Sequence, residues 1–336
     1  MFRQTKTRWN NMMDRFHSPS FRISRKGKWY AIAPAVIILT GLIIVLTINF
    51  NLGIDFTGGQ LIEVRGDDVA EHRQTIQNFM GNVDANIGRF EVRAARTNQA
   101  GVTLIEVFFQ NGSVPDSEIT ALATSIAQGI QEHLGVAGIT AHNMQGVSAS
   151  ATGEHIVTTV IAVGVALIAI LVYMLFRFKF TSGVAALVGL VHDVLVMLAV
   201  TAIFRVPVNA AFVAALITVV AYSINNTLIL FDRIRHLEKH NTLKESPEMI
   251  TDRAVKETFT RTMLTMVTTL VPIAILLIAG VPLIREFAAP ILFGLVAGTF
   301  STVFVATSLY VRFETYRTRM VKSKKQVEIK QPVVVE

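Results

Sequence analysis

Six long apolar runs constrain this chain more than any other feature of its sequence. Each run is long enough to cross a hydrocarbon core of about 30 Å as an α-helix, since a helix rises about 1.5 Å per residue. The chain is 51% hydrophobic and only 16% charged, and this charged fraction is low for a soluble protein. We therefore predict a membrane α-helical protein with six transmembrane helices. The predicted spans are residues 30–50, 155–176, 184–204, 209–231, 262–280 and 287–311.

Basic residues are concentrated beside these spans on one side of the membrane. Residues 1–29 carry eight Lys and Arg, the connection 232–261 carries seven, and the tail 312–336 carries seven. Residues 51–154 carry only five, against twelve Asp and Glu. Because basic flanks stay in the cytoplasm, both termini and the 232–261 loop are predicted to be cytoplasmic and the acidic segment to lie outside. The net charge of +7 thus indicates contact with membrane lipid, and no nucleic-acid partner is expected.

The polar segment 51–154 alternates between strand and helix patterns. Period-two alternation predicts four strands, over residues 60–65, 89–95, 102–109 and 139–147. Apolar residues three or four apart predict one helix that ends at Gly81 and another that ends at Gly135. The order βαββαβ is that of a ferredoxin-like split βαβ unit, so we expect an α+β domain of this type between the first two spans. A short amphipathic helix is also predicted over residues 241–259, on the cytoplasmic surface.

Asp193 lies near the middle of the third predicted span, next to His192. An ionised carboxylate at that depth costs about 2.5–3.5 kcal/mol even on insertion scales. Asp193 is therefore expected to be protonated or to have a partner, and with His192 it could form a proton relay. The alternative is an interhelical hydrogen bond that only holds the helices together.

The fourth and fifth predicted spans carry further polar side chains. Asn225 and Asn226 are adjacent amides inside an apolar run, and polar groups at that depth must find partners on other helices. Arg261 precedes a stripe of threonines at helical spacing, which should face other helices. We expect these side chains and Asp193 to converge on one hydrated path. The alternative for Arg261 is an arginine at a helix end that reaches the membrane surface.

Glycines mark two other features. Gly294 and Gly298 form a GxxxG pattern in the sixth span, which favours close helix packing. Residues 51–59 form a glycine-rich turn between the first span and the first strand, and this turn lacks the ending of a phosphate-binding loop.

The chain has no cysteine, which excludes disulfides, thiolate catalysis and Cys-ligated metals. We see no zinc, triad or nucleotide motif, so we expect no enzyme activity and no cofactor.

Several motifs together resemble the SecF family, the smaller half of the bacterial SecDF complex, which is related to the RND transporters. The likeness covers the chain from the first span to the sixth. The residues that carry it are Gly53, Asp55, Phe56, Gly58, Gly59, His192, Asp193, Asn225, Asp232, Arg233 and Arg261.

The resemblance implies a function in protein export across the bacterial inner membrane. It implies that the chain pairs with SecD, associates with the SecYEG channel and YajC, and uses an H⁺ or Na⁺ gradient to help unfolded preproteins leave on the periplasmic side. The acidic segment 51–154 would then be a periplasmic domain. The competing interpretations are half of an RND-type exporter of small molecules or lipids, and a scaffold for SecD that does not couple to the gradient.

One residue departs from the family pattern. Family members usually have aspartate where this chain has Asn226, and that aspartate is taken to couple ions together with the arginine that matches Arg261. An amide does not titrate near neutral pH, so this role does not carry over to Asn226. Three explanations remain: a natural variant that relies on a SecD carboxylate, one that uses Asp193, or an engineered substitution.

Overall fold

The computed structural model describes most of the chain. The described residues are 30–66, 68–83, 87–92, 96–97, 103–136, 139–147, 149–242, 245–279 and 282–330. They form two compact units. One contains residues 50–165 and 207–213, and the other contains the remaining described residues.

Helices dominate the described part. They are α1 (Ile32–Ile48), α2 (Ile54–Thr57), α3 (Arg73–Gly81), α4 (Asp116–Leu134), α5 (Ala149–Arg177), α6 (Phe180–Ile203), α7 (Ala210–Lys239), α8 (Pro247–Ala279), α9 (Pro282–Phe300) and α10 (Thr307–Lys330). A π-helical segment, Ser301–Ala306, joins α9 to α10 without a break. The strands are β1 (Gly59–Arg65), β2 (Phe90–Val92), β3 (Arg96–Thr97), β4 (Thr103–Phe109) and β5 (Thr140–Val147).

Five helical stretches in the described part are long and apolar enough to cross a membrane. They lie in α5, α6, α7, α8 and the continuous helix made of α9, the π segment and α10. The first predicted span, residues 30–50, corresponds to α1, an apolar helix of 17 residues. At about 1.5 Å per residue α1 is about 26 Å long, which is shorter than a typical hydrocarbon core of about 30 Å. The chain is thus a multi-pass membrane protein, and the count of six spans stays a prediction.

Helices extend into segments that the sequence analysis treated as a loop and a tail. α7 continues to Lys239 and α8 begins at Pro247, so the predicted loop 232–261 is mostly helical. The amphipathic helix predicted over 241–259 is wrong as a separate element, because most of that segment is the first part of α8. The predicted tail is likewise helical as far as Lys330. No Gly or Pro interrupts 248–271 or 299–330, so nothing in these segments ends a helix.

The first unit is built on an antiparallel sheet. The strand order is β2-β4-β1-β5, with β3 pairing with the other end of β4. β1 pairs with β4 and β5, and β2 pairs with β4, all antiparallel. β1, β2, β4 and β5 lie where alternation predicts strands, although residues 93–95 of the second predicted strand lie outside the described residues. The short strand β3 was not predicted. The two predicted helices are confirmed as α3, which ends at Gly81, and α4, which is followed by Gly135 in the left-handed conformation with φ 60°.

One face of the sheet and the apolar faces of α3 and α4 form the core of this unit. Ile62 and Val64 of β1 are fully buried, as period-two alternation requires. Burying a side chain of this size contributes about 1.5–3 kcal/mol. On the opposite face, Glu63 accepts two hydrogen bonds from Arg65, at 2.7 and 3.0 Å. These bonds raise the pKa of the exposed Arg65 guanidinium above its usual value.

Close helix contacts organise the second unit. At Gly41 of α1, an added Cβ would lie 2.4 Å from Ala199 Cα of α6, so only glycine fits there. At Gly294 of α9, an added Cβ would lie 2.4 Å from the Val219 side chain of α7. A glycine at such a contact lets two helix backbones approach closely, which is how helices associate in lipid. The approach of α9 to α7 brings the next glycine, Gly298, to the site described below.

Candidate functional site

A buried carboxylate on α6 is hydrogen-bonded to α7. Asp193 has no exposed surface, and the Ser223 hydroxyl donates to its Oδ2 atom. His192 Nδ1 lies 3.0 Å from the other oxygen, Asp193 Oδ1. Both carboxylate oxygens therefore have a polar partner, which offsets part of the cost of burying the group. The arrangement also allows a proton to pass between the imidazole and the carboxylate.

Helix α9 closes one side of this pair through Gly298. A Cβ at that position would lie 3.1 Å from Ser223 Cβ and 3.5 Å from Asp193 Oδ2. The absence of a side chain thus lets the α9 backbone touch both groups. We refer to Asp193, His192, Ser223 and Gly298 as the carboxylate cluster.

Asn226 lies one helical turn after Ser223 and is also buried, with 1% of its surface exposed. Within the part of the chain that the structure describes, neither its amide nitrogen nor its amide oxygen has a hydrogen-bond partner. The next residue, Thr227, pairs with Thr302 of the π segment, with 3.1 Å between the hydroxyl oxygens. Thr302 also donates to the Gly298 carbonyl at 2.8 Å. A band of buried polar groups therefore continues along α7 from the carboxylate cluster.

Two of the predicted site residues lie outside this band. Asn225 and Arg261 are exposed, so the expectation that their side chains converge with Asp193 inside the chain is not met. Adjacent helical residues point about 100° apart, so the buried Asn226 and the exposed Asn225 lie on different sides of α7. The Thr265 and Thr268 hydroxyls donate to carbonyls of their own helix, each at 3.0 Å. These two hydroxyls thus bond to the backbone of α8 itself, and Arg261 and Thr268 give this helix an exposed polar face.

Asp232 and Arg233 form ion pairs with neighbouring helices near the end of α7. Arg177 Nη2 of α5 lies 3.1 Å from Asp232 Oδ1, and Arg233 Nε lies 2.5 Å from Glu257 Oε2 of α8. All four side chains are more than a third exposed, so each pair contributes little stability. Their geometric effect is to tie α7 to α5 and α8.

A more buried contact lies beside these pairs. The Tyr310 hydroxyl of α10 donates to Glu238 Oε1 of α7 at 2.5 Å, and Lys179 donates to Glu238 Oε2 at 2.6 Å. Tyr310 is almost fully buried against Phe231, with ring centroids 5.5 Å apart. Hydrogen bonds to a charged group are worth about 1.5–3 kcal/mol, so this contact holds α10 against α7.

Residues 51–59 form the glycine turn between α1 and β1. Gly53 accepts hydrogen bonds from the Phe56 and Thr57 amides, which forms the single helical turn α2. Gly58 and Gly59 have φ angles of 66° and 155°, in the region that favours glycine, and they lead the chain into β1. Asp55 Oδ2 accepts a hydrogen bond from the Ala210 amide of α7 at 2.8 Å.

Sequence reasoning missed three residues that the structure brings to important contacts. Ser223 lies three residues before Asn226 and so shares its helix face, which is a signal that could have been read. Thr302 follows Gly298 by four residues, which is a similar signal. Gly41 stands alone in an apolar run, and only its contact with Ala199 reveals its importance. Among the described residues, no group of three or more His, Cys, Asp and Glu side chains could hold a metal ion.

Two family models match this sequence. The model for the C-terminal region of the protein export membrane proteins SecD and SecF matches residues 128–316. The model for the SecD/SecF GG motif matches residues 44–68, which include the glycine turn.

Individual proteins extend the similarity to most of the chain. Protein translocase subunit SecF of Cereibacter sphaeroides is 34% identical over 271 residues, which are 79% of this chain and 80% of that protein. SecF of Helicobacter pylori is 30% identical, with 84% of each chain covered. Protein translocase subunit SecDF of Bacillus subtilis is 28% identical over 89% of this chain, which spans only 39% of the length of that protein.

Solved structures show the same relationship. The crystal structure of SecDF, a translocon-associated membrane protein from Thermus thermophilus, matches 89% of this chain with a TM-score of 0.68 and 27% identity. A structure of SecDF in a super-membrane-facing form matches 91% with a TM-score of 0.62 and 26% identity. In both cases the chain covers about two fifths of the SecDF chain, 39% and 40%.

Proposed function

We propose that this chain, which belongs to the SecF family of protein translocase subunits, acts with SecD to couple the transmembrane ion gradient to the export of preproteins. The observation that carries the coupling is the carboxylate cluster. Asp193 is a fully buried carboxylate on a helix long enough to cross the membrane. A buried carboxylate at this depth is costly unless it is protonated or has polar partners, and intramembrane carboxylates commonly form proton relays.

Protonation of Asp193 would change the contact between α6 and α7. The ionised carboxylate accepts hydrogen bonds from Ser223 and His192, whereas the protonated form has a donor of its own and fewer acceptor sites. Ser223 belongs to α7, so its hydrogen bond to Asp193 links the position of α7 to the charge of Asp193. The ionised and the protonated carboxylate would therefore favour different positions of α7 relative to α6. A two-state element biased by charge is the physical requirement for converting a gradient into movement.

The proposed topology places six spans in the bacterial inner membrane, with α1 as the first. Residues 1–29, the 232–261 connection and the 312–336 tail are cytoplasmic, and residues 51–154 form a periplasmic ferredoxin-like domain that holds the emerging preprotein. The basic flanks support this orientation. The order β5-β1-β4-β2, antiparallel throughout, supports the ferredoxin-like domain because it is the arrangement of a split βαβ unit.

The partners proposed for this chain are SecD, the SecYEG channel and YajC. Support for SecD comes from the SecDF relatives, in which a chain like this one is about two fifths of a longer protein. Asn225, Arg261 and Thr268 are exposed polar residues on spanning helices, which would be costly in lipid. We propose that Asn225 and Arg261 contact SecD, which would supply polar partners for both side chains.

Asn226 favours a second candidate, a scaffold that holds SecD without coupling. An amide carries no titratable proton, and this one has no hydrogen-bond partner among the described residues. The carboxylate cluster argues against the scaffold, because it keeps an ionisable group, Asp193, beside α7, the helix that carries Asn226. In the coupling candidate the driving ion is H⁺ or Na⁺, whereas the scaffold uses no ion gradient.

Gradient-dependent secretion in membrane vesicles separates the two candidates. Asp193→Asn keeps the size of the side chain and removes its ability to ionise, so we expect it to abolish the gradient-stimulated part of export. Asn226→Asp restores a titratable group and is expected to raise that part. Glu118→Gln, the same kind of change on the exposed face of α4, is the control and should have no effect. If neither site changed the gradient-stimulated part, the chain would be a scaffold.

A further inference from the structure

The glycine turn is joined to the start of α7 by backbone hydrogen bonds. The Gly53 amide donates to the Val208 carbonyl at 2.8 Å, and the Val208 amide donates to the Asn51 carbonyl at 2.8 Å. Leu52 and Val208 form a parallel β-bridge between these two bonds. The turn is therefore attached to Val208, which lies two residues before the start of α7, although about 155 residues separate the two segments in sequence.

A side chain of the turn also caps α7. Asp55 Oδ2 accepts the Ala210 amide at 2.8 Å, and Ala210 is the first residue of the helix. The helix has its own cap as well, since Asn209 Oδ1 accepts the Phe212 amide at 2.9 Å. The first amides of a helix lack intrahelical partners and carry partial positive charge, so a carboxylate binds well there. One of the two caps is thus local, and the other belongs to the glycine turn.

The glycine turn packs closely against the residues that precede α7, and we call this contact the junction. A Cβ at Gly53 would lie 2.7 Å from Asn209 Cβ and 3.3 Å from the Val208 carbonyl oxygen. At the other end of the turn, a Cβ at Gly59 would lie 2.5 Å from the Phe109 carbonyl oxygen of β4. Gly59 is also the first residue of β1. Close contacts at both ends make the turn a short, tightly fitted link between the sheet and the start of α7.

Helix α7 then runs without interruption from Ala210 to Lys239. Ser223 and Asn226 lie 13 and 16 residues from its start, which is about 20 and 24 Å along the helix. A helix of this kind transmits an axial displacement with little loss, because its hydrogen bonds lie along the axis. Whatever moves α7 at the carboxylate cluster therefore also moves the residue that Asp55 holds.

We propose that Asp55 is a positioning residue of the coupling mechanism: it clamps the glycine turn to the first turn of α7, so that displacement of α7 reaches the β-sheet of the α+β domain. This inference rests on the proposed coupling function and assigns a mechanical role to the glycine turn. The junction stays closed throughout the cycle and acts as a rigid clip.

The first test compares two caps of the same helix turn in the intact translocase in membrane vesicles. Asp55→Ala removes the cap that joins α7 to the turn, whereas Asn209→Ala removes the local cap and keeps the Cβ that packs against Gly53. We expect Asp55→Ala to reduce gradient-stimulated export to the level seen without a gradient, and Asn209→Ala to retain it. Asp55→Asn, which keeps an acceptor oxygen, should recover part of it. Equal effects of the two alanine variants would overturn the proposal, because helix capping alone would then explain them.

A covalent link provides the second test and does not depend on how well Asp55→Ala folds. The chain has no cysteine, so Leu52→Cys with Val208→Cys can form only the intended disulfide within it. Bridged β-residues lie about 5 Å apart, within the range that a disulfide spans. We expect the oxidised double variant to keep gradient-stimulated export, and the disulfide to restore it in the Asp55→Ala background. Loss of export on oxidation would show that the junction must open, which contradicts a rigid clip.

The two proposals fail in different ways. If the unmodified protein shows no gradient-stimulated export, the coupling function itself is wrong. If the unmodified protein shows it and Asp55→Ala shows it equally, only the role of Asp55 is wrong. Membrane abundance and copurification of SecD, measured for every variant, separate loss of coupling from loss of protein.

Discussion

Replacing Gly294 by alanine tests whether the close contact between α9 and α7 holds the helical unit together. The added methyl would lie 2.4 Å from Val219 Cγ2 and 2.6 Å from Cγ1. Carbon atoms normally pack about 3.5–4.0 Å apart, so the methyl and the valine must separate by about 1 Å. Val219 is buried and β-branched, and a helical valine has one strongly preferred rotamer. The side chain therefore cannot turn away, and the helices must separate.

The size of the effect follows from two opposing contributions. Forcing an extra methyl into a packed core costs about 1–3 kcal/mol. Replacing a helical glycine by alanine returns about 1 kcal/mol. Gly189→Ala is the matched control, because its methyl would meet only Ala306 Cβ, at an ordinary contact distance of 3.5 Å. The two variants share the favourable contribution, so they should differ by about 2 kcal/mol in the free energy of unfolding.

Thermal unfolding of the purified protein in detergent measures this difference. About 2 kcal/mol corresponds to a difference of about 4–8 °C in Tm for a chain of a few hundred residues. We expect Gly189→Ala to unfold at or above the temperature of the unmodified protein, and Gly294→Ala to unfold below both. If Gly294→Ala were as stable as Gly189→Ala, the packing argument would be refuted.

Two further substitutions probe neighbouring contacts. Gly298→Ala places a methyl 3.1 Å from Ser223 Cβ and should lengthen the hydrogen bond that Ser223 makes in the carboxylate cluster. Loss of a bond worth about 0.5–1.5 kcal/mol predicts a drop of about two- to tenfold in gradient-stimulated export. An unchanged rate of export would contradict this role for the cluster. Tyr310→Phe removes the donor to Glu238 and should lower stability by about 1.5–3 kcal/mol in the same thermal assay, whereas Tyr316→Phe, on an exposed ring, should leave Tm unchanged.

The fold elements that the sequence predicts well are those with a strong local period. The strand around Ile62 and Val64 alternates clearly, and α4 has apolar residues three or four apart with Gly135 directly after its end. Helix ends were harder to predict when no breaker marks them. The boundary between a surface helix and the fifth span was placed where hydropathy changes, but the backbone of α8 has no Gly or Pro there and continues.

The candidate site was predictable in chemistry and only partly in geometry. Asp193 and His192 stand out because their side chains are costly in an apolar span. The separation of Asn225 from Asn226 follows from helical geometry, but which of the two faces inward depends on how α7 packs against other helices. The contact between Asp55 and Ala210 joins segments that no local pattern connects, so it follows from the folded structure and not from either segment alone.

The π-helical segment Ser301–Ala306 sets the angular phase of everything that follows it on the same helix. Each α-helical residue advances about 100° around the axis, and a wider turn changes that phase. Tyr310 reaches Glu238, and Glu314 reaches Thr181 at 3.0 Å, only from the phase that this segment gives them. Insertions and deletions of a single residue in this stretch are consequently more disruptive than most point substitutions, because they rotate the whole of α10 away from its partners.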